Sequence, residues 1–412
     1  MGIEIHEWPA GAFEQATMLA RGLLEASRGD VTAVRKPLQT MIAAMALPGA
    51  SVDDVVGLTN QVLAQPDIAA LIAGHTRPDL RGPSRPAGGR LIAASASDDR
   101  TVRVWDVLAS TQIGAPLSGH TDEVWSVALG TAADGRLIGA SGSVDWTVRV
   151  WDVLAGIQIG SPLTGHTGGV RSVALGTAPG GRLIGASASD DWTVRVWDVL
   201  AGTPIGSPLT GHTAVVMSVA LGTAADGRLI GASGSADGTV RVWDVLAGTP
   251  IGSPLTGHTT VVMSVALGTA ADGRLIGASG SADGTVRVWD VLAGIQIGSP
   301  LTGHTGWVMS VALGTAAGGR LIAASGSRNK TVRVWDVLAG IPIGSPLTGH
   351  TSDVSSMALG TAPDGRLIAA SGSYDKTVRV WDVLAGTQIG EPLTGHTKWV
   401  RSVALGISPQ SQ

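Results

Sequence analysis

His120, Ser141 and Asp145, with Trp151 following, are the first residues in this sequence whose types could do chemistry. An imidazole, a hydroxyl and a carboxylate are the parts of a nucleophilic triad, in which the ring takes a proton from the attacking oxygen and the acid orients the ring. The set recurs as His166, Ser187, Asp191 and Trp197, and onward through the chain. Gly-His-Thr triplets place histidines at 120, 166, 212, 258, 304, 350 and 396, and Trp-Asp pairs begin at 105, 151, 197, 243, 289, 335 and 381, always 46 apart. Seven equivalent sets in a regular array cannot converge on one substrate, so the repetition argues for a structural role and against a catalytic site. Residues 130–136 have phosphate-loop glycine spacing but lack the Lys-Ser/Thr ending. There is no His-Glu-x-x-His, the repeat histidines stand one per unit, and cysteine is absent, so neither a metal nor another cofactor is expected.

Each repeat reads as four short strands. Val124–Leu129 is an apolar run closed by Thr-Ala-Ala-Asp-Gly, a turn signal. Arg136–Ser141 leads to a tight turn around Ser143-Val144-Asp145-Trp146, and Thr147–Val153 alternates in the period-2 manner of a strand. After Leu154-Ala155-Gly156, Ile159–Leu163 is the fourth strand, and Pro162 marks it as a sheet edge, because proline has no N–H to donate. Such a meander cannot bury both faces alone; stacking copies around a ring buries them. That accounts for 44% hydrophobic residues with only 4% aromatics, and 59 glycines suit the turns and the crowded strands near an axis.

The Gly-His, Ser-x-Asp and Trp-Asp marks at this spacing resemble those of the Trp-Asp (WD) repeat family over residues 90–405. The resemblance implies an all-β seven-bladed propeller of four-stranded antiparallel blades. It also implies that His120, Ser141, Asp145 and Trp151, like their copies, form a buried hydrogen-bond relay that satisfies polar groups removed from water. Asn329 replaces the acid in the sixth unit, so a weaker link is expected there. The function implied is that of a non-enzymatic protein–protein interaction scaffold or sensor.

An eighth Gly-His-Thr at 74–76 is followed by Pro78, Pro83 and Pro86, which exclude an inner strand. Val400–Leu405, by contrast, is an inner strand with no successor. The C-terminal strand should therefore complete the first blade and close the ring, leaving no open edge, with His396 and not His75 serving that blade.

The copies differ mainly just after Gly-His-Thr and around the turn acid. Because connections alternate between the two ends of an antiparallel meander, these variable columns should share one face. It would carry Trp125, Trp146, Trp192, Trp307, Trp399 and Tyr374 beside Arg100, Arg171, Arg328, Arg401, Lys330 and Lys376. Trp, Tyr and Arg dominate interface hot spots, so this face is expected to bind a protein or peptide. Drift in exposed turns would favour small polar residues over tryptophan.

Residues 1–75 hold 4 Lys/Arg and 8 Asp/Glu and so carry the whole net charge of −4. Helical spacing in Pro9–Ser27 and Val31–Leu47, and Ser51 capping Val52–Ala64, predict a small helical bundle over 1–75. Its place before a propeller is weakly like helical adaptor domains of bacterial signalling proteins. A Pro/Gly-rich linker over 76–89 joins it to the propeller at 90–412. No signal peptide or apolar span is visible, and the charge favours neither nucleic acid nor membrane; a cytoplasmic monomeric ring is the expectation. Two other readings stand: a regulatory part of an enzyme or signalling system acting through the helical domain, and a designed or recently amplified propeller without a native partner. Residues 201–246 and 247–292 differ only at Ala214 and Thr260.

Overall fold

The computed structural model describes residues 89–408; the bundle expected over 1–75 and all but the last residue of the linker lie outside them. The described chain forms seven four-stranded antiparallel sheets. In the second blade the inner strand is Val124–Thr131, followed outward by Leu137–Ser143, Val148–Asp152 and Ile157–Leu163. The second strand runs past its expected end at Ser141 because Ser143 still closes the turn. The Ser143 N–H reaches the Thr147 carbonyl, and its hydroxyl accepts from Asp145 N–H and donates to the Asp122 carbonyl. This strand is buried at all seven positions, hence its run of small and apolar residues without alternation. Pro162 lies in the outer strand, where no neighbour needs its missing N–H.

Apolar cores lie between blades. Ile138, Val150 and Leu163 of the second blade meet Val170, Leu183 and Trp197 of the third. The arrangement repeats around the ring to the last junction, where Ile368, Val380 and Leu393 of the seventh blade meet Val400, Leu91 and Trp105 of the first. Near the axis the strands crowd: a β-carbon on Gly130 would come within 3.2 Å of the Leu175 β-carbon in the next blade. Glycine is required there by close approach.

The ring closes as the sequence predicts. Val400–Ile407 pairs antiparallel with Leu91–Ser97, giving the first blade the order Val400–Ile407, Leu91–Ser97, Thr101–Asp106, Thr111–Ser118. A second tie was not foreseen. The Ser126 hydroxyl accepts the Val173 N–H of the next blade at 2.9 Å, and the same bond links each blade to the one after it. The series ends with Val127 N–H donating to Ser402 at 3.2 Å, across the junction that the C-terminal strand makes.

Deleting residues 396–412 should strip the first blade of its inner strand and expose both an edge and an apolar blade face. Size-exclusion chromatography should then show aggregate and melting should lose its cooperativity. A soluble, cooperatively melting monomer would contradict the closure.

Candidate functional site

The chemistry-bearing residues form one relay per blade. In the second blade Trp151 Nε1 donates to Ser141 Oγ at 2.8 Å, Ser141 Oγ lies 2.9 Å from His120 Nε2, and His120 Nδ1 lies 2.8 Å from Asp145 Oδ2. A carboxylate only accepts, so Nδ1–H is the donor, Nε2 accepts, and the Ser141 hydroxyl donates to it. The first blade uses His396, with Asp99, Ser95 and Trp105, drawing on both ends of the described chain. Burial alone would raise the Asp145 carboxyl, but hydrogen bonds from His120 and Thr147 outweigh it and hold the group well below the ordinary carboxylate range. These are triad distances without triad access. Ser141 is completely buried, and its oxygen already accepts the indole N–H, so no substrate carbonyl can approach it.

The sixth blade departs from the pattern. Asn329 Oδ1 accepts from Thr331, and its amide nitrogen reaches Thr305 Oγ1 at 3.4 Å. Buried His304 Nδ1 is left without a partner. Burial, aided by the Arg333 charge and outweighing the nearby Asn329 amide, pushes the His304 ring down to about 4. Among the described residues no group of three or more histidines and acids could hold a metal ion.

The two variable columns meet physically. In every blade the N–H before the turn acid donates to the carbonyl of the residue three after the histidine: Val144 to Glu123 at 3.0 Å, Asp98 to Trp399 at 3.1 Å, Arg328 to Trp307 at 3.0 Å. The residue after the turn acid takes a left-handed backbone, with φ of 70° at Arg100, 69° at Trp146, 70° at Trp192, 66° at Lys330 and 72° at Lys376; the fourth and fifth blades have Gly238 and Gly284 there. For a residue with a β-carbon that conformation costs roughly 1–2 kcal/mol. Trp146 is nevertheless 54% exposed and Trp192 51%, so neither recovers the strain by burial.

Other members of the expected face are engaged within the molecule. Trp125 is half-buried, donates to Glu123 at 3.1 Å and lies under the Arg171 guanidinium at 4.0 Å, which in turn bonds Asp190 at 2.6 Å. Arg401 holds Asp98 through two nitrogens at 2.6 and 3.0 Å and donates to the Tyr374 hydroxyl at 2.8 Å. Tyr374 and Trp399 stack with centroids 4.5 Å apart, and Arg401 is 5.0 Å from each ring. Arg328 covers Trp307 at 3.7 Å and reaches Asp353 at 3.4 Å. Trp307 and Trp399 remain exposed at 41% and 45%. The sequence places Trp125, Arg171 and Arg401 on the binding face, with packing toward the channel as the alternative for position 125 and its equivalents. They are half-buried because the inner strands converge near the axis, bringing each within reach of the next blade.

A closed ring of seven such blades, with a polar relay in each and one variable face, defines a β-propeller of Trp-Asp repeats. The sequence model of the WD40 family (WD domain, G-beta repeat) matches residues 71–106, 111–152, 157–198, 202–244, 248–290, 295–336 and 340–382, and the chain belongs to that family. The matched units are out of phase with the blades: the strand completing the first blade, Val400–Ile407, lies beyond the last of them. No curated protein matches the chain. Among solved structures it is similar to the computationally designed Ika8 protein, at 30% identity over 79% of this chain and 95% of that one, with a TM-score of 0.53.

Giving His304 a carboxylate partner through Asn329→Asp should stabilise the fold by about 1–3 kcal/mol near neutral pH. The present His304 ring protonates more readily unfolded than folded, so its contribution is lost as pH falls from 6.5 toward about 4. Asn329→Asp should flatten that part of the stability profile and shift its loss to lower pH, as its carboxylate protonates. Urea midpoints at several pH values test this; an unchanged profile and midpoint would contradict it.

Proposed function

We propose that this chain is a non-enzymatic interaction scaffold or sensor, a monomeric ring that binds a protein or peptide on the face built by the Gly-His-Thr loops and Ser-x-Asp turns. One observation carries the reading. Trp146 and Trp192 occupy a left-handed turn position that glycine fills in two other blades, and both stay half exposed. Stability alone favours glycine there, and solubility disfavours exposed indole. A bound partner compensates both, by covering the rings and using their fixed direction. The internal pairs of Trp125 with Arg171 and of Arg401 with Tyr374 and Trp399 support the same reading, since they hold the neighbouring surface rigid. Membership of a family that commonly mediates protein–protein interaction agrees with it.

A second reading, an amplified or designed propeller with no native partner, draws on the near-identity of residues 201–246 and 247–292 and on the likeness to a designed protein. Amplification explains why the copies agree but not why the two columns of this face diverge to Trp, Lys and Arg.

The two readings separate in a pull-down with the full chain beside a Trp146→Ala, Trp192→Ala, Trp307→Ala, Trp399→Ala variant, both first shown to be folded monomers. The scaffold reading expects a specific partner captured by the first and lost by the second. Identical captures would remove this face as the site, and no specific capture would favour the second reading.

A further inference from the structure

We propose that the segment this face binds is acidic, its carboxylates seated on a cationic arc of Lys330, Lys376, Lys398 and Arg100 and an adjoining apolar side chain laid on Trp399. The proposal rests on the binding reading above and adds the chemistry of the partner. Lys330, Lys376 and Arg100 occupy the left-handed turn position of three consecutive blades, the sixth, seventh and first, and all three are exposed. Lys398 is exposed in the loop leading into the first blade's inner strand. None of the four has an ion-pair partner among the described residues.

The nearby arginines differ in just this respect. Arg401 is engaged by Asp98 and approached by Glu123 at 3.9 Å, and Arg328 by Asp353 at 3.4 Å. The acids of this sector are therefore already committed, and the charge left over is positive. Lys376, Lys398, Thr397 and Trp399 line, together with Arg401 and its acids, a depression of about 410 Å³. Its aromatic wall is preorganised, because Trp399 stacks on Tyr374 and Tyr374 accepts a hydrogen bond from Arg401. An anionic group entering there relieves repulsion among unpaired cations and meets a rigid indole face, a fit that neutral or basic segments lack.

A phosphate backbone fits the surface less well. The arc spans three blades only, the second and third carry Asp122, Glu123 and Asp190 at the same level, and the fourth and fifth present Gly238 and Gly284 at the turn position where a continuous basic track would need cations. Nucleic-acid surfaces need many phosphate contacts along one stripe. A short acidic peptide needs only a few cations beside an apolar anchor.

The test uses the full chain and fluorescein-labelled hexapeptides alternating Glu with Leu, Gln with Leu and Lys with Leu, beside a single-stranded RNA oligomer, read by fluorescence anisotropy. The Glu peptide should bind at least roughly tenfold more tightly than the Gln peptide, with the difference shrinking as salt is raised. Lys376→Glu with Lys398→Glu should weaken it at least roughly tenfold. Ile157→Ala with Ile295→Ala, exposed on the outer strands of the second and fifth blades and outside the proposed face, should leave it within about twofold. Both lysines are exposed, and an unchanged melting midpoint checks that the charge-reversed protein is folded. Equal binding of the Gln peptide, no loss on charge reversal, preference for RNA, or no binding of the Glu peptide up to about 1 mM would each overturn the proposal. If the four-tryptophan variant still loses a captured partner while the acidic peptide shows no preference, this inference fails and the binding reading survives.

Discussion

Every blade is apolar on both faces, so the structure depends on each sheet having a neighbour on both sides, which only a closed ring supplies. Closure is made by the strand most distant in sequence from the sheet it joins: Val400–Ile407 pairs with Leu91–Ser97. The junction is secured three ways. There is the strand pairing itself, the core shared by Val400, Leu91 and Trp105, and the Ser402 hydroxyl that accepts from Val127 N–H to complete the circle of serine bonds. Within this frame the His–Ser–Asp–Trp relay is a consequence of burial. The Trp-Asp indole packs against the preceding blade, its N–H needs an acceptor, and the serine, histidine and turn acid carry that requirement out to the loop. The acid then fixes the very turn whose next residue is left-handed and faces solvent. Core satisfaction and surface display thus share one side chain in each blade.

That coupling explains how copies with nearly identical interiors present different surfaces. Asp145 accepts from Thr147 N–H and Oγ and from Thr121 N–H whatever stands at 144 and 146, so the turn geometry survives exchange of its flanking residues. Even Asn329 keeps the turn through Thr331, at the cost of an unpartnered ring nitrogen on His304. A propeller in which the polar network sets the backbone and leaves the neighbouring positions unconstrained is suited to varying its surface residues one blade at a time.

The fold was legible because it follows from periodicity. The 46-residue spacing located every blade, and the contrast between Pro78, Pro83 and Pro86 at one end and an unpaired Val400–Leu405 at the other located the closure. The choice of His396 over His75 followed from that contrast. What the period could not reveal are contacts across blade boundaries. Ser126 to Val173, Arg171 over Trp125, and Arg401 with Tyr374 depend on the angle between adjacent sheets and on how closely the inner strands converge. The left-handed backbone at Trp146 and Trp192 was in principle readable from Gly238 and Gly284 at the equivalent positions, since glycine in two copies of a tight turn signals positive φ. The face follows from which columns vary and from the alternation of connections, neither of which separates half-buried Trp125 and Arg171 from exposed Trp146.

Trp146 and Trp192 are exposed at a left-handed backbone position that glycine fills in two other blades, and the proposed role in binding is what would offset that strain. The direct test is to measure stability and partner capture together in a Trp146→Gly, Trp192→Gly variant. The account predicts a urea midpoint raised, by up to about 1 kcal/mol for each site, together with loss of the captured partner. A lowered midpoint would mean that the rings hold the fold together, and capture unchanged in a stabilised protein would mean that the face is not where this propeller binds.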